Sequence, residues 1–479
     1  MNSTSPHNSF RYQLKSILGC LMCCAVFVSC SSSYSGKADI GNNTVPELGL
    51  PYITVTTSSN VTETGQTQAL VYISIFENSL IFKNQRDSLV SRISISLDII
   101  RENDNAEISK TYQILLGKDP DTKYYEQNTI YRRFQYDLPP GEYNVKVGIT
   151  DLHSGKQTTK GNDLYVPDPN ARSVSISNVR FYEKPSPEEN FLAVNRYNVN
   201  TGFDSLKFTF QVTNGKASEL LDIESKLIRF EADTKPARSM SERSLRRSSI
   251  EYKGLDFTDR NVVQSNARKL EAMGSVTIEN SFTDLSKGNY RFEVKVETSS
   301  GETFFEVRDF SIKSKNFPSL KSPKELAEPL IYIMRENEYN ELLKIGSEDS
   351  LKSAIDEYWL SNIKNVPKTR RILQLYYERV EQANIQFSNF KEGWKTDPGM
   401  IYILFGPPLY IDSGFGEMTW FYEFDSGNRT PRIFFEDKRY GNTKFPFENF
   451  ILKRSSDLFN LQYRQIQAWR DGSILYLSQ

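Results

Sequence analysis

Over long stretches of this chain every second residue is apolar. Ile93, Ile95, Leu97 and Ile99 alternate with Ser94, Ser96 and Asp98, and Tyr143, Val145, Val147 and Ile149 alternate with Asn144, Lys146 and Gly148. Successive side chains of a strand point to opposite faces, so this period predicts half-buried β-strands. Further strands are expected at 51–57, 69–76, 111–116 and 130–137. Six or seven short strands in about 120 residues predict a β-sandwich.

The pattern then repeats. Leu206, Phe208, Phe210 and Val212 alternate, as do Tyr290, Phe292, Val294 and Val296. Asp137-Leu138-Pro139-Pro140-Gly141-Glu142-Tyr143 leads into a strand and a Ser154-Gly155 turn. Asp284-Leu285-Ser286-Lys287-Gly288-Asn289-Tyr290 leads into a strand and a Ser300-Gly301 turn. The shared Gly is expected at a turn position with φ > 0. The shared Tyr is expected to open its strand with the ring inward. Two Ig-like sandwiches in tandem are predicted, over 49–168 and 171–313, with Pro167-Asp168-Pro169-Asn170 as a stiff boundary.

Helical spacing takes over near residue 320. Ser322-Pro323-Lys324-Glu325 reads as a capping box with Pro at the first helical position. A second helix is expected over 348–361, with Leu351, Ile355, Tyr358 and Trp359 on one side. Pro367 opens a third, with Ile372, Leu375, Tyr376, Val380, Ala383 and Phe387 as its core stripe. Strands are expected over Met400–Phe405, Arg432–Phe435 and Ile451–Arg454, and a final strand or irregular arm over Leu458–Trp469. The fold class is therefore multidomain and mainly β, with two tandem Ig-like β-sandwiches followed by an α+β C-terminal module over 320–479.

The first thirty residues set the compartment. Arg11 and Lys15 precede Ile17–Val28, twelve residues without charge. That is shorter than the roughly 20 residues a spanning helix needs and suits the apolar core of a secretory signal. The run ends at Phe27-Val28-Ser29-Cys30, which resembles a bacterial lipobox. The resemblance implies a signal peptide over 1–29 and acylation of Cys30 as the mature N-terminus, anchoring the chain to a membrane. Residues 30–48, rich in Ser, Gly and Asn, read as a tether with a reach on the order of 25 Å.

Charge and composition exclude several chemistries. Lys+Arg is 59 and Asp+Glu is 60, a balance unlike the clustered positive charge of nucleic-acid binders. Beyond residue 29 only His153 and Cys30 remain of the two His and four Cys. Intrachain disulfides, thiol catalysis and His- or Cys-rich zinc sites are excluded, and a Ser-His-Asp triad would have to use His153. No catalytic residue, metal site or cofactor is expected. The acidic clusters Glu102, Asp104, Glu107 and Asp119, Asp121 lack calcium-loop order. Arg238, Arg243, Arg246 and Arg247 read as a solvated Ser-rich loop. His153 is expected at an exposed hairpin tip.

The distinctive motif is Gly393-Trp394-Lys395-Thr396-Asp397, which resembles the five-residue signature of the GWxTD domain family. Arg379, Ala383-Asn384 and Phe387 upstream, and Gly399, Ile401-Tyr402-Ile403, Gly406-Pro407-Pro408 and Glu417-Met418-Thr419-Trp420-Phe421-Tyr422 downstream, extend the resemblance over about 325–475. It implies an exported protein or lipoprotein of a Gram-negative envelope, here in the outer membrane and facing the periplasm, and it carries no catalytic residues across. Physically, Gly393 is expected to end the helix, Trp394 to staple helix to sheet, and Asp397-Pro398-Gly399 to form a turn. Trp394, Thr396, Asp397, Glu417, Trp420 and Tyr422 form the candidate partner or ligand site. The expected function is a non-catalytic, membrane-anchored binding or scaffold lipoprotein for an envelope protein partner. The alternative is a carboxylate-dependent enzyme or binding module for envelope or surface glycan, with Asp397 and Glu417 as a carboxylate pair.

Overall fold

The computed structural model describes residues 49–62, 66–86, 88–118, 129–168, 174–241, 254–414, 416–422, 432–437 and 449–477. Cys30 with its signal and tether, Asp119, Asp121, Pro169, Asn170, Arg243, Arg246 and Arg247 lie outside the described residues. Among the described residues no helix is long and apolar enough to cross a membrane.

The first strands are β1 (Ile53–Val61), β2 (Thr67–Phe76), β3 (Lys83–Gln85), β4 (Ser88–Arg101), β5 (Glu107–Lys118), β6 (Thr129–Asp137), β7 (Gly141–Asp151) and β8 (Gln157–Val166). One sheet runs β1-β2-β6. The other runs β3-β4-β7-β8, with β5 on the free edge of β4. The alternating apolar residues of both sheets meet in one core, in which Val71, Ile93, Ile95, Leu97, Val145 and Val147 are fully buried. Polar side chains close one flank: Thr57 Oγ1 donates to Asp163 O (2.9 Å), Ser59 Oγ to Tyr165 O (2.6 Å) and Asn162 Nδ2 to Val55 O (2.7 Å).

The second sandwich comprises β9 (Val174–Ile176), β10 (Arg180–Lys184), β11 (Leu192–Ala193), β12 (Asn198–Asn200), β13 (Ser205–Asn214), β14 (Leu221–Ala232), β15 (Leu255–Leu270), β16 (Gly274–Phe282), β17 (Gly288–Thr298) and β18 (Thr303–Lys313). Its sheets are β11-β10-β13-β16, extended by β9, and β12-β18-β17-β14-β15. The core is aromatic: Phe208 stacks on Phe181 (4.5 Å) and Phe292 (4.6 Å), nearly parallel to both. Stacked aromatic pairs of this kind add to area burial.

The sequence repeat is a structural repeat. Tyr143 and Tyr290 are both buried, and each hydroxyl donates to the carbonyl four residues upstream, Pro139 O (2.7 Å) and Ser286 O (2.8 Å). This is the tyrosine corner of Ig-like sandwiches. An arginine completes each corner. Arg101 lies directly across from Tyr143, and Arg229 directly across from Tyr290. Each donates to the carbonyl just before the motif glycine, Pro140 O (2.5 Å) and Lys287 O (3.0 Å). The glycines differ from expectation. Gly141 has φ +149°, but Gly288 has no positive φ. A Cβ would stand 3.0 Å from Arg101 Nε at the first and 2.8 Å from Arg229 Nε at the second. Close approach of the arginine, not a left-handed backbone, is what the two glycines share.

The sandwiches are docked together. The face of β1 turned away from its own core is buried, with Thr54 and Ser58 almost inaccessible. Val61 N donates to Gln211 Oε1 (2.8 Å) and Gln211 Nε2 donates back to Val61 O (2.9 Å), an amide pair across the interface. Ser74 Oγ donates to Asn195 Oδ1 (2.6 Å) beside it.

The C-terminal module contains α1 (Pro323–Ala327), α2 (Glu336–Leu343), α3 (Glu348–Ile363), α4 (Val366–Phe387) and α5 (Asp397–Phe405). The sheet β19 (Tyr410–Gly414), β20 (Glu417–Phe421), β21 (Arg432–Asp437), β22 (Phe450–Leu452) follows in sequential order, then α6 (Leu458–Asp471) and α7 (Ile474–Leu477). Ser322 and Glu325 form the expected capping box. Two expectations fail. Met400–Phe405 is helix, not strand, and Leu458–Trp469 is helix too. Residues 398–405 are all buried, so their run of apolar residues has no period to separate helix from strand. The caps decide: Thr396 at the N-cap and Pro398 in the first turn both favour a helix. All four tryptophans of the chain, Trp359, Trp394, Trp420 and Trp469, lie in this module's core.

Candidate functional site

The signature lies where the end of α4, a 3₁₀ turn over Gly393–Lys395 and the start of α5 converge. α4 stops at Phe387, and Ser388 Oγ donates back to Asn384 O (2.6 Å) while accepting from Gly393 N (2.7 Å). Gly393 therefore does not end the helix. It is glycine because a Cβ would stand 1.9 Å from Ala383 O. Trp394 is buried, its amide donating to Asn384 Oδ1 (3.2 Å) and its carbonyl accepting from the Tyr332 hydroxyl (2.7 Å). Lys395 pairs with Glu392 and lies 5.1 Å from the Trp394 ring centroid. Thr396 Oγ1 accepts from Gly399 N (3.1 Å) and donates to Gly393 O (2.7 Å), capping α5 and closing the 3₁₀ turn together. Asp397-Pro398-Gly399 is thus the first turn of a helix. Gly399 is required there because a Cβ would stand 1.8 Å from Gly393 O.

Asp397 is held inside the module. Arg454 Nη2 donates to Oδ1 (2.6 Å), Arg454 Nη1 to Oδ2 (2.9 Å), and Leu452 N to Oδ2 (2.7 Å). Both side chains are at least nine-tenths buried. The pair ties the start of α5 to β22 and the chain beyond it. Trp420 is fully buried against Phe387 and Phe435, and its Nε1 has no partner among the described residues. The Tyr422 hydroxyl donates to Gly406 O (2.9 Å), and burial raises its pKa well above the usual phenol range. Glu417 is exposed on β20, directly across from Glu436. Asp397 and Glu417 are not brought together: one faces Arg454 in the interior, the other faces water. Among the described residues no group of three or more His, Cys, Asp or Glu could hold a metal. His153 is half-buried rather than exposed.

Several organising residues carried little sequence signal. Arg379 lies almost buried at the C-terminal end of α5, with Nη1 donating to Ile403 O (3.3 Å). Gln465 and Trp469 cap the same end through Leu404 O. Burial lowers the Arg379 pKa to about 10, so it stays charged near neutrality. Arg379 and Asn384 entered the sequence analysis only as residues that extend the motif resemblance, with no role attached. Arg454, 57 residues from its partner, was given no role either.

The loop leading into the signature is fixed to the second sandwich. Phe390 packs with Tyr197, Ile228, Phe230 and Leu255, and its carbonyl accepts from Asn289 Nδ2 (2.9 Å). Lys313 Nζ, fully buried at the end of β18, donates to Asn389 O (2.8 Å). Burial pushes this amine down to about 7, against an opposing pull from Glu392. Lys391 donates to Lys235 O (3.0 Å) beside Asp233.

Residues 290–471 match the family model of the GWxTD domain. The match starts at Tyr290, so it takes in the last two strands of the second sandwich, the floor on which the signature loop rests. No curated protein matches the chain. Solved structures that match include a crystal structure of red sea bream transglutaminase, at 12% identity and a TM-score of 0.17. That match covers 55% of this chain and 31% of that one. A score this low carries no argument about fold or activity.

Proposed function

We propose, starting from the GWxTD domain that this chain carries over residues 290–471, that the protein is a non-catalytic, membrane-anchored binding or scaffold lipoprotein. In this reading acylated Cys30 holds the body at the outer membrane of a Gram-negative envelope, facing the periplasm, and the docked modules grip an envelope protein. One observation carries it. The polar groups of the signature are engaged within the fold: Thr396 by the α5 cap, Asp397 by Arg454 and Leu452, the Trp394 backbone by Asn384 and Tyr332. A residue set arranged in this way fixes a shape. Leu409, just before β19, and Tyr410 and Phe434 on the sheet of the same module are all exposed and supply the kind of apolar and aromatic surface that interface cores use.

The test is chemical crosslinking in membranes followed by purification, comparing wild type with Cys30→Ala. The expected outcome is a reproducible protein partner recovered with wild type and depleted with the variant. If instead nothing co-purifies and the purified protein cleaves a glycan, the scaffold reading fails and the carboxylate-enzyme alternative replaces it.

A further inference from the structure

All three modules contribute walls to one pocket of about 280 Å³. Tyr52 and Tyr131 come from the first sandwich, Arg196 and Asn198 from the second, and Phe317 and Asn384 from the C-terminal module and the segment before it. Junctions between domains are a preferred place for small-molecule sites, and this volume lies just below their usual range of about 300–1,000 Å³.

Three features of the wall point to one ligand chemistry. The first is aromatic surface: Tyr52, Phe76, Tyr131, Tyr197 and Phe317 line it, with Tyr131 exposed. The second is polar, uncharged side chains. Thr129, Asn198 and Asn200 stand among the rings of the wall and bring a hydroxyl and two amides to it. Side chains of this kind can both donate and accept toward a ligand. The third is charge. The only ionisable cation on the wall, Arg196, is matched by Glu183 through two bonds (2.8 and 3.0 Å) and donates to the Tyr131 hydroxyl (2.8 Å). An anionic ligand therefore gains little here. Aromatic faces beside amides and hydroxyls, without net charge, suit a neutral sugar ring, which offers C–H faces to the rings and hydroxyls to the polar atoms.

We propose that this three-module pocket binds a neutral saccharide unit. The inference stands independently of the scaffold reading. The wall also touches the signature, because Asn384 donates to Pro318 O (2.9 Å) and accepts from Trp394 N (3.2 Å). A ligand bridging three modules stabilises their docking by mass action.

The test uses the full chain in a detergent without a sugar headgroup. Cellobiose, maltose, chitobiose and galactobiose are the neutral probes. Galacturonic acid and inorganic phosphate are the anionic ones. Saturation-transfer NMR and calorimetry are expected to find saturable binding of at least one neutral disaccharide, with a raised unfolding midpoint. Tyr131→Ala and Asn200→Ala each weaken it by about tenfold or more. Tyr131→Ala also takes an acceptor from Arg196, so its unfolding midpoint without ligand is measured beside that of wild type, and Asn200→Ala supplies the second, independent reading. The proposal is overturned if no neutral probe binds saturably, if binding is indifferent to both variants, or if an anionic probe binds about tenfold tighter than every neutral one.

Discussion

The sandwiches and the C-terminal module hold their backbones in place by different means. In the sandwiches, neighbouring strands satisfy one another, and a few side chains such as the Tyr143 and Tyr290 hydroxyls pin the corners. In the module, segments far apart in sequence meet at one knot. There a missing Cβ at Gly393, a capping hydroxyl on Thr396 and a buried Asp397–Arg454 pair do what a ladder does elsewhere. A ladder spreads its dependence over many residues, whereas a knot concentrates it on a few. Substitutions of the same type should therefore have unequal consequences in the two regions. The tryptophans make the difference measurable, since all four report on the module alone.

The widest gap is expected between two glycine substitutions. Gly393→Ala drives a methyl into Ala383 O, with backbone on both sides and no flexible side chain to yield. A loss above about 4 kcal/mol, or failure of the module to fold, is expected. Gly155→Ala, at φ +74° with open space around it, should cost only about 1 kcal/mol. Denaturant titration followed by tryptophan emission and by far-UV circular dichroism separates the two. Comparable losses would remove the distinction between ladder and knot.

The same contrast explains what could be read from the sequence. Period two identified the strands from Ile93 to Ile99 and Tyr143 to Ile149 because each has one wet face. Asp-Leu-x-x-Gly-x-Tyr was visible as a repeat because the corner is local, its hydroxyl bond spanning four residues. Met400–Phe405 was misread because a segment buried on every side shows no period. Its identity rested on Thr396 and Pro398, which also suit a turn. Arg101 and Arg229 escaped notice because their glycine partners lie across a sheet. Arg454 escaped because nothing near Asp397 in sequence points to it. Side-by-side motif letters suggested a site, yet of the six candidates Glu417 alone is exposed, and the other five are buried or partly buried inside the module.

Next in size is the buried ion pair. Asp397→Asn leaves Arg454 charged and largely dehydrated, and a loss of about 3 kcal/mol is expected. Arg454→Met in the same chain should recover part of it. The sandwich offers a matched control in the cross-strand pair Arg291–Asp309 (2.7 and 2.9 Å), similarly buried. Asp309→Asn should cost a similar amount but be reported first by circular dichroism, with the tryptophan transition following. If Asp397→Asn leaves stability unchanged while partner binding is lost, Asp397 belongs to a recognition surface and the architectural reading of the signature is wrong.

Lys313 tests the seam between the two regions through pH. Burial holds its folded-state pKa at about 7, below the unfolded value near 10.4. Between those values the unfolded chain binds the extra proton, so this group makes stability rise with pH from about 7 to about 10. The full effect is on the order of a few kcal/mol, and below pH 7 it is constant. Glu392, Lys395 and Lys287 face the same amine, Glu392 raising its pKa and the two lysines lowering it. Lys313→Met should flatten the rise, measured as unfolding free energy at pH 7, 8, 9 and 10. An unchanged slope would mean that the amine reaches water and that the seam is looser than drawn.

The smallest effect is the most discriminating, because it compares like with like. Tyr143→Phe and Tyr290→Phe each remove one hydroxyl whose bond has nearly the same length, 2.7 and 2.8 Å. Each should cost about 1 kcal/mol. If the corners are equivalent devices, the two losses agree to within about half a kcal/mol. They differ in what adjoins them. Asn289, next to Tyr290, donates to Phe390 O and accepts from the Tyr197 hydroxyl, so the second corner also supports the loop that carries the signature. Tyr290→Phe should therefore shift the tryptophan-reported transition, and Tyr143→Phe should leave it in place. A shift from both would mean that the first sandwich, through the Val61–Gln211 pair, unfolds with the rest as one cooperative unit. A shift from neither would mean that the sandwich only touches the module and does not brace it.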